Sequence, residues 1–238
     1  REIVVIKNND VLFYSSQGVS IRKEIISLVW NADQIEKQGF PHYMLKEIYE
    51  QPQAVAQALL PHVDLSNYQI NLKQLGFNGA STFELEKLDI LADQKLTNQV
   101  FEKINRITIV ACGTSYYAGL VGKYYIEKLV RIPVEVDVAS EFRYRDPVID
   151  KDMLVLTISQ SGETADTLAA IRLAKEKGAT TLSICNVKNS SIDREAHGHL
   201  YMNSGPEIGV ASTKAFVSTL VLLNAFAVQL GKSKKCIN

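Results

Sequence analysis

The chain has 238 residues, 46% hydrophobic and 22% charged, with Lys+Arg balancing Asp+Glu at a formal net charge of zero. That composition is ordinary for a globular protein of one large domain or two smaller ones. With neither a basic stripe nor an acidic tail, it argues against a nucleic-acid partner and a disordered partner segment. Cys112, Cys185 and Cys236 are widely spaced, and two lie in apolar strand-like runs, which points to buried reduced thiols and a cytoplasmic location. His42, His62, His197 and His199 lack metal-site spacing with Cys or Glu, so no metal site or cofactor is expected.

Arg1 opens directly into a strand-like run with no signal-peptide pattern. Glu2–Ser16 reads as a hairpin about Asn8-Asn9-Asp10. A lone hairpin is marginal in water, so this one is expected to pack on something absent here, in a piece of a longer protein. Ile21–Glu36 is of mixed polarity and holds Trp30. Gln38–Pro41 punctuates. Two short helices are expected next, His42–Gln51 stopped by Pro52 and Ala54–Leu60 stopped by Pro61. His62–Asn78 has no strong period. Ser81–Val100 is helical, with Ser81 as the cap of a capping box.

From Arg106 the pattern becomes alternating β and α. Strands are predicted over 107–112, 133–139, 152–158, 180–187 and 200–203, and helices over 116–130, 165–177, 190–196 and 212–230. The strands are apolar on both faces, which predicts a doubly wound, five-stranded parallel sheet of the flavodoxin-like kind, preceded by the small hairpin and a helical linker. Phe216–Leu230 is uncharged but shorter than the ~20 residues that span a bilayer, so a buried helix is expected and no membrane partner. Gly119 and Gly122 inside a helix imply close helix–sheet packing.

Ligands of such sheets sit at the carboxyl ends of the strands. Three polar turns fall there: Gly113-Thr114-Ser115, Ser159–Thr164 and Glu207–Thr213. Hydroxyls and free amides at helix starts bind anions. Ser161, Thr164 and Ser212 could serve simply as helix caps, but capping does not require a Ser-Gln-Ser-Gly run beside a second hydroxyl cluster. The Ser159–Thr164 turn holds no lysine, which favours a phosphate monoester over a nucleoside triphosphate. Glu163 and Asp166 would repel a phosphate and are expected to serve the helix dipole and point away. Arg143 and Arg145 are candidates to reach a phosphate, or equally a solvated face. Position 159 is Ser, so no nucleophile elbow forms, no G-x-G-x-x-G follows the first strand, and Ser161 has no evident His partner.

These segments, together with Ala139–Arg145, Pro41–Pro52 and the Glu207–Phe216 run, resemble the glucosamine-6-phosphate synthases, the isomerising glutamine–fructose-6-phosphate aminotransferases. Ser-x-Ser-Gly alone marks only a sugar-isomerase (SIS) domain. The resemblance implies that residues 1–39 end a glutaminase domain and that residues 40–238 form the first SIS domain with its leading helices. It implies that Ser115, Ser159, Gln160, Ser161 and Thr164 hold a sugar phosphate, fructose 6-phosphate or glucosamine 6-phosphate, and that Thr114, Val210 and Ser212 line the sugar. The family's glutamine-attacking cysteine, Schiff-base lysine, enolisation base and ring-opening histidine would lie outside this chain. No catalytic residue is therefore assigned here, and the chain is expected to be inert alone. The resemblance further implies glutamine as co-substrate of the missing domain and a homodimer. The alternatives are a non-enzymatic SIS module that senses a sugar phosphate and a phosphosugar isomerase of one SIS domain; the family-like linker disfavours both.

Overall fold

The computed structural model describes residues 2–8, 10–23, 35–66, 69–70, 72 and 94–237. The readings of Trp30 and of the Ser81 capping box fall outside these residues. Two compact units result, Arg1–Ala32 and Asp33–Asn238. In the first, β1 (Glu2–Lys7) and β2 (Asp10–Ser15) pair antiparallel from Glu2↔Ser15 to Lys7↔Asp10, as the turn residues predict. A two-residue strand, β3 (Ser20–Ile21), extends the hairpin to three strands; nothing so short is visible as a hydropathy pattern.

In the second unit, α1 runs unbroken from Tyr43 to Leu59 with Pro52 inside it. Two helices were expected, because proline removes one backbone donor and crowds the preceding turn. The helix instead continues through Pro52, with Ala54 and Ala58 buried and its length packed along α7 (Lys214–Ser233). Pro61 then sits in a single 3₁₀ turn, Leu60–His62. Short strands β4 (Val63–Asp64) and β5 (Gln69–Ile70) pair antiparallel, and α2 (Gln94–Lys103) leads into the sheet.

The sheet comprises β6 (Arg106–Ala111), β7 (Val134–Val138), β8 (Met153–Ser159), β9 (Thr180–Cys185) and β10 (Gly198–Tyr201). All pairings are parallel and the order is β7-β6-β8-β9-β10. This is the flavodoxin-like order, which reverses between its first and third strands. Crossovers are α3 (Gly113–Val130), α4 (Ala139–Tyr144), α5 (Ala165–Glu176) and α6 (Ser191–Glu195). Every residue of β8 is buried, because helices cover both faces. Ile107, Ile109, Leu154, Leu156 and Ile158 pack with Leu222, Leu223 and Phe226 of α7. Val110, Met153 and Val155 face Phe142 of α4 and Ala170 and Ala174 of α5 on the other side. The six-residue α4 was not expected.

The helix glycines have separate reasons. A Cβ on Gly119 would lie 2.9 Å from Ile109 Cγ2, so it allows helix and sheet to close up as predicted. A Cβ on Gly122 would lie 2.8 Å from Leu223, which makes it a contact between α3 and α7 rather than with the sheet. Among the described residues only α7 has the length and hydropathy to cross a bilayer, and most of it is buried in the protein, as expected of a core helix.

At the β10 edge, His197 is 6% exposed and its Nδ1 accepts the Thr181 N–H at 3.1 Å. Burial, with Lys175 and His199 adding positive charge, lowers its pKa from 6.5 to about 4. The unfolded chain therefore takes up a proton that the fold rejects. This contribution to stability is complete above pH ~6.5 and is lost as pH falls toward ~4. Burial pushes the neighbouring Asp193 carboxyl up, but His199, the Asn189 amide and Tyr201 outweigh it and leave it below 3.8, so its own loss comes at lower pH. Urea denaturation between pH 7 and 4 should show falling stability, and His197→Gln should flatten that fall. An unchanged slope in the variant would assign the acid sensitivity elsewhere.

Candidate functional site

The strand order reverses between β6 and β8, so the segments leaving these strands diverge and open a cleft at their carboxyl ends. Its volume is about 220 Å³. All eight residues singled out from the sequence line it: Thr114, Ser115, Ser159, Gln160, Ser161, Thr164, Val210 and Ser212. Cys112, Ile158, Glu207 and Gly209 line it as well and were not singled out.

After β6, Cys112 is extended and caps α3 without a side-chain bond. The expected turn Gly113-Thr114-Ser115 is in fact the first turn of that helix, entered through Gly113 at φ 56°. Its amides have no helical carbonyl to bond and are free for a ligand.

After β8, Ser159 is 3% exposed and organises the turn. Its Oγ accepts the Gly162 N–H at 3.0 Å and lies 3.2 Å from Thr164 Oγ1. Gly162 reverses the chain at φ 68°. Ser161 Oγ accepts the Glu163 N–H at 3.2 Å. Thr164 is the cap residue of α5 but makes no side-chain cap bond, so this first turn is open too. Glu163 turns away, as expected: its Oε1 accepts the Ser191 N–H at 2.8 Å, and the Ser191 hydroxyl, followed by that amide, holds its carboxyl below the ordinary carboxylate value. Asp166 pairs with Arg143 at 3.2 Å, and Arg145 pairs with Asp137 at 2.6 Å and Glu135 at 3.2 Å. Both arginines are thus engaged with carboxylates, and neither lines the cleft.

The third segment behaves differently. Glu207 Oε1 accepts the Thr213 N–H at 2.9 Å and the Ala215 N–H at 3.2 Å, while its Oε2 accepts the Ser212 hydroxyl at 2.9 Å. The start of α7 is therefore already occupied by a carboxylate. Among the described residues, the open helix starts of α3 and α5 remain to receive an anion, and no lysine or arginine lines the cleft. A dianion here would be held by amides, hydroxyls and helix dipoles alone.

A family profile described as the SIS domain matches residues 101–229. The chain belongs to the SIS domain family. This SIS chain is 48% identical over its whole length to a glutamine–fructose-6-phosphate aminotransferase [isomerizing] of Clostridium tetani and 46% identical to that of Clostridium acetobutylicum. It spans 36% of each of those proteins. Among solved structures, the C-terminal domain of glucosamine-fructose-6-phosphate aminotransferase from Francisella tularensis superposes with a TM-score of 0.73 at 44% identity, over 85% of this chain and 51% of that one.

Cys185, next to this SIS cleft, is a buried free thiol raised to about 12 by burial, as expected; Cys112, expected to be buried too, is half-buried because it lies past the end of β6 as the cap residue of α3, and Cys236 is exposed.

Gly162 and Gly113 share a positive φ, but only the Gly162 Cβ would overlap a neighbour, the Ser190 hydroxyl. Gly162→Ala should therefore cost about 2–4 kcal/mol, against about 1 kcal/mol for Gly113→Ala, in urea denaturation. Equal costs would mean that Ser190 does not set the shape of the turn.

Proposed function

We propose that this chain is the fructose-6-phosphate-binding SIS part of an isomerising glutamine–fructose-6-phosphate aminotransferase, with residues 1–39 ending the glutaminase domain and 40–238 forming the first SIS domain. The observation that carries this reading is the meeting of two uncapped helix starts with a ring of hydroxyls in one cleft, in a chain whose relatives bear that name.

Ser115, Ser159, Gln160, Ser161 and Thr164 hold the phosphate, with the amides of the α3 and α5 first turns. Thr114, Val210 and Ser212 line the sugar. Because the Ser212 proton is given to Glu207, its oxygen faces the cleft as an acceptor and suits a sugar hydroxyl. Fixing the phosphate end places an open-chain sugar so that its carbonyl meets catalytic groups in a set geometry. Those groups belong to other parts of the full protein, as does glutamine binding, so the chain alone should form no glucosamine 6-phosphate. A homodimer through SIS domains is part of the proposal, and exposed Tyr117 and Tyr124 on one face of α3 offer it a surface. The free thiols suit a cytoplasmic setting.

Thermal unfolding of the chain tests the binding claim. Fructose 6-phosphate and glucosamine 6-phosphate at ~100 times their Kd should each stabilise it by about 2.7 kcal/mol. Ser161→Ala with Thr164→Ala should abolish that protection. Equal protection by unrelated phosphate esters would reduce the cleft to a general anion site, and no protection by either sugar would reject the proposal.

A further inference from the structure

The loop from Glu207 to Thr213 carries Val210 and Ser212 to the cleft, yet Val210 itself is fully exposed and the loop has no strand or helix of its own. What holds it comes from far away in the chain. Glu47 of α1, only 2% exposed, directs its carboxylate at the loop backbone. Its Oε1 accepts the Ile208 N–H at 2.6 Å, and the Gly209 N–H lies 3.1 Å from both oxygens. Gly209 makes this approach possible, because a Cβ there would stand 2.5 Å from Glu47 Oε2. One turn along α1, Glu50 binds Lys214 at the end of the loop at 2.7 Å, and Lys46 lies 3.4 Å from the other Glu50 oxygen. Glu207 ties the start of the loop to Thr213 and Ala215.

A buried carboxylate is a poor means of adding stability, since its desolvation offsets most of what its bonds return. What it does supply is direction: two adjacent backbone amides held on one side-chain group leave the loop a single conformation. We propose that Glu47 is a positioning residue that pre-shapes the 207–213 loop, and with it the recognition of the sugar as distinct from the phosphate. The inference rests on the reading of the cleft as a fructose-6-phosphate site. Glu47 makes its hydrogen bonds to Ile208 and Gly209 and none, among the described residues, to the phosphate turns after β6 and β8, whereas Val210 and Ser212 lie on the loop it holds. Loss of Glu47 should therefore act on one end of the ligand only. A loop that must be ordered on binding lowers affinity by the ordering cost.

The test compares fructose 6-phosphate with inorganic phosphate on the 238-residue chain by calorimetric titration. Glu47→Gln should raise Kd for fructose 6-phosphate about tenfold and leave that for inorganic phosphate within about twofold. Equal weakening of both ligands, or of neither, would overturn the proposal. Amide exchange on the unaltered chain provides the check if the variant does not fold. Ile208 and Gly209 should exchange about 100-fold more slowly than exposed Ala211 before any ligand is added. Rapid exchange at both would mean that the loop is not held. Failure of the unaltered chain to bind fructose 6-phosphate would instead reject the functional reading, while the exchange rates would still decide whether Glu47 fixes the loop.

Discussion

Backbone amides that no helical carbonyl can reach are the constraint on which this site depends. The first turns of α3 and α5 each leave such groups, and neither is closed by a capping side chain. They converge because β6 and β8 are neighbours in the sheet while their crossovers cover opposite faces. The strand order thus turns two ordinary helix ends into one cleft. Hydroxyls then complete it: Ser159 fixes the Gly162 turn and meets Thr164, and Ser161 orders the amide of Glu163.

Charge is placed with equal economy. Among the described residues, four carboxylates around the cleft are committed: Glu163 to the start of α6, Asp166 to Arg143, Glu207 to the start of α7 and Glu47 to the amides of Ile208 and Gly209. A phosphate therefore meets donors rather than competing carboxylates. With no cation among the described residues lining the cleft, recognition rests on the number and direction of short-range donors, which favours an ester that fits over a polyphosphate held by charge. The third helix start shows the contrast. Once Glu207 fills it, α7 no longer offers an anion site, and its loop is free to serve the uncharged part of a ligand.

Much of this was legible from hydropathy and turn chemistry. The three central strands β6, β8 and β9 are buried on both faces, so their apolar runs stand out; the edge strands β7 and β10 are only partly covered, against the expectation of strands apolar on both faces, yet the predicted boundaries of all five lie within a residue or two of those observed. The hydroxyl-rich turns are also local signals, and all eight predicted residues meet in the cleft. What escaped was set by packing at a distance. Pro52 reads locally as a stop, yet α1 passes through it along α7. Gly122 shows its cost in the sequence but not its cause, which is Leu223 on another helix. Glu207 could have been found, as a carboxylate shortly before a helix start. Glu47 could not: it sits inside a helix with no local sign that its partners lie near position 208.

Amide chemical shifts on titration with fructose 6-phosphate test the central claim most directly. The account predicts the largest changes at Thr114, Ser115, Ser161, Gly162, Glu163 and Thr164, the amides of the two open helix starts and the turn between β8 and α5. Changes concentrated at the start of α7, or scattered over the surface with those residues unmoved, would contradict it.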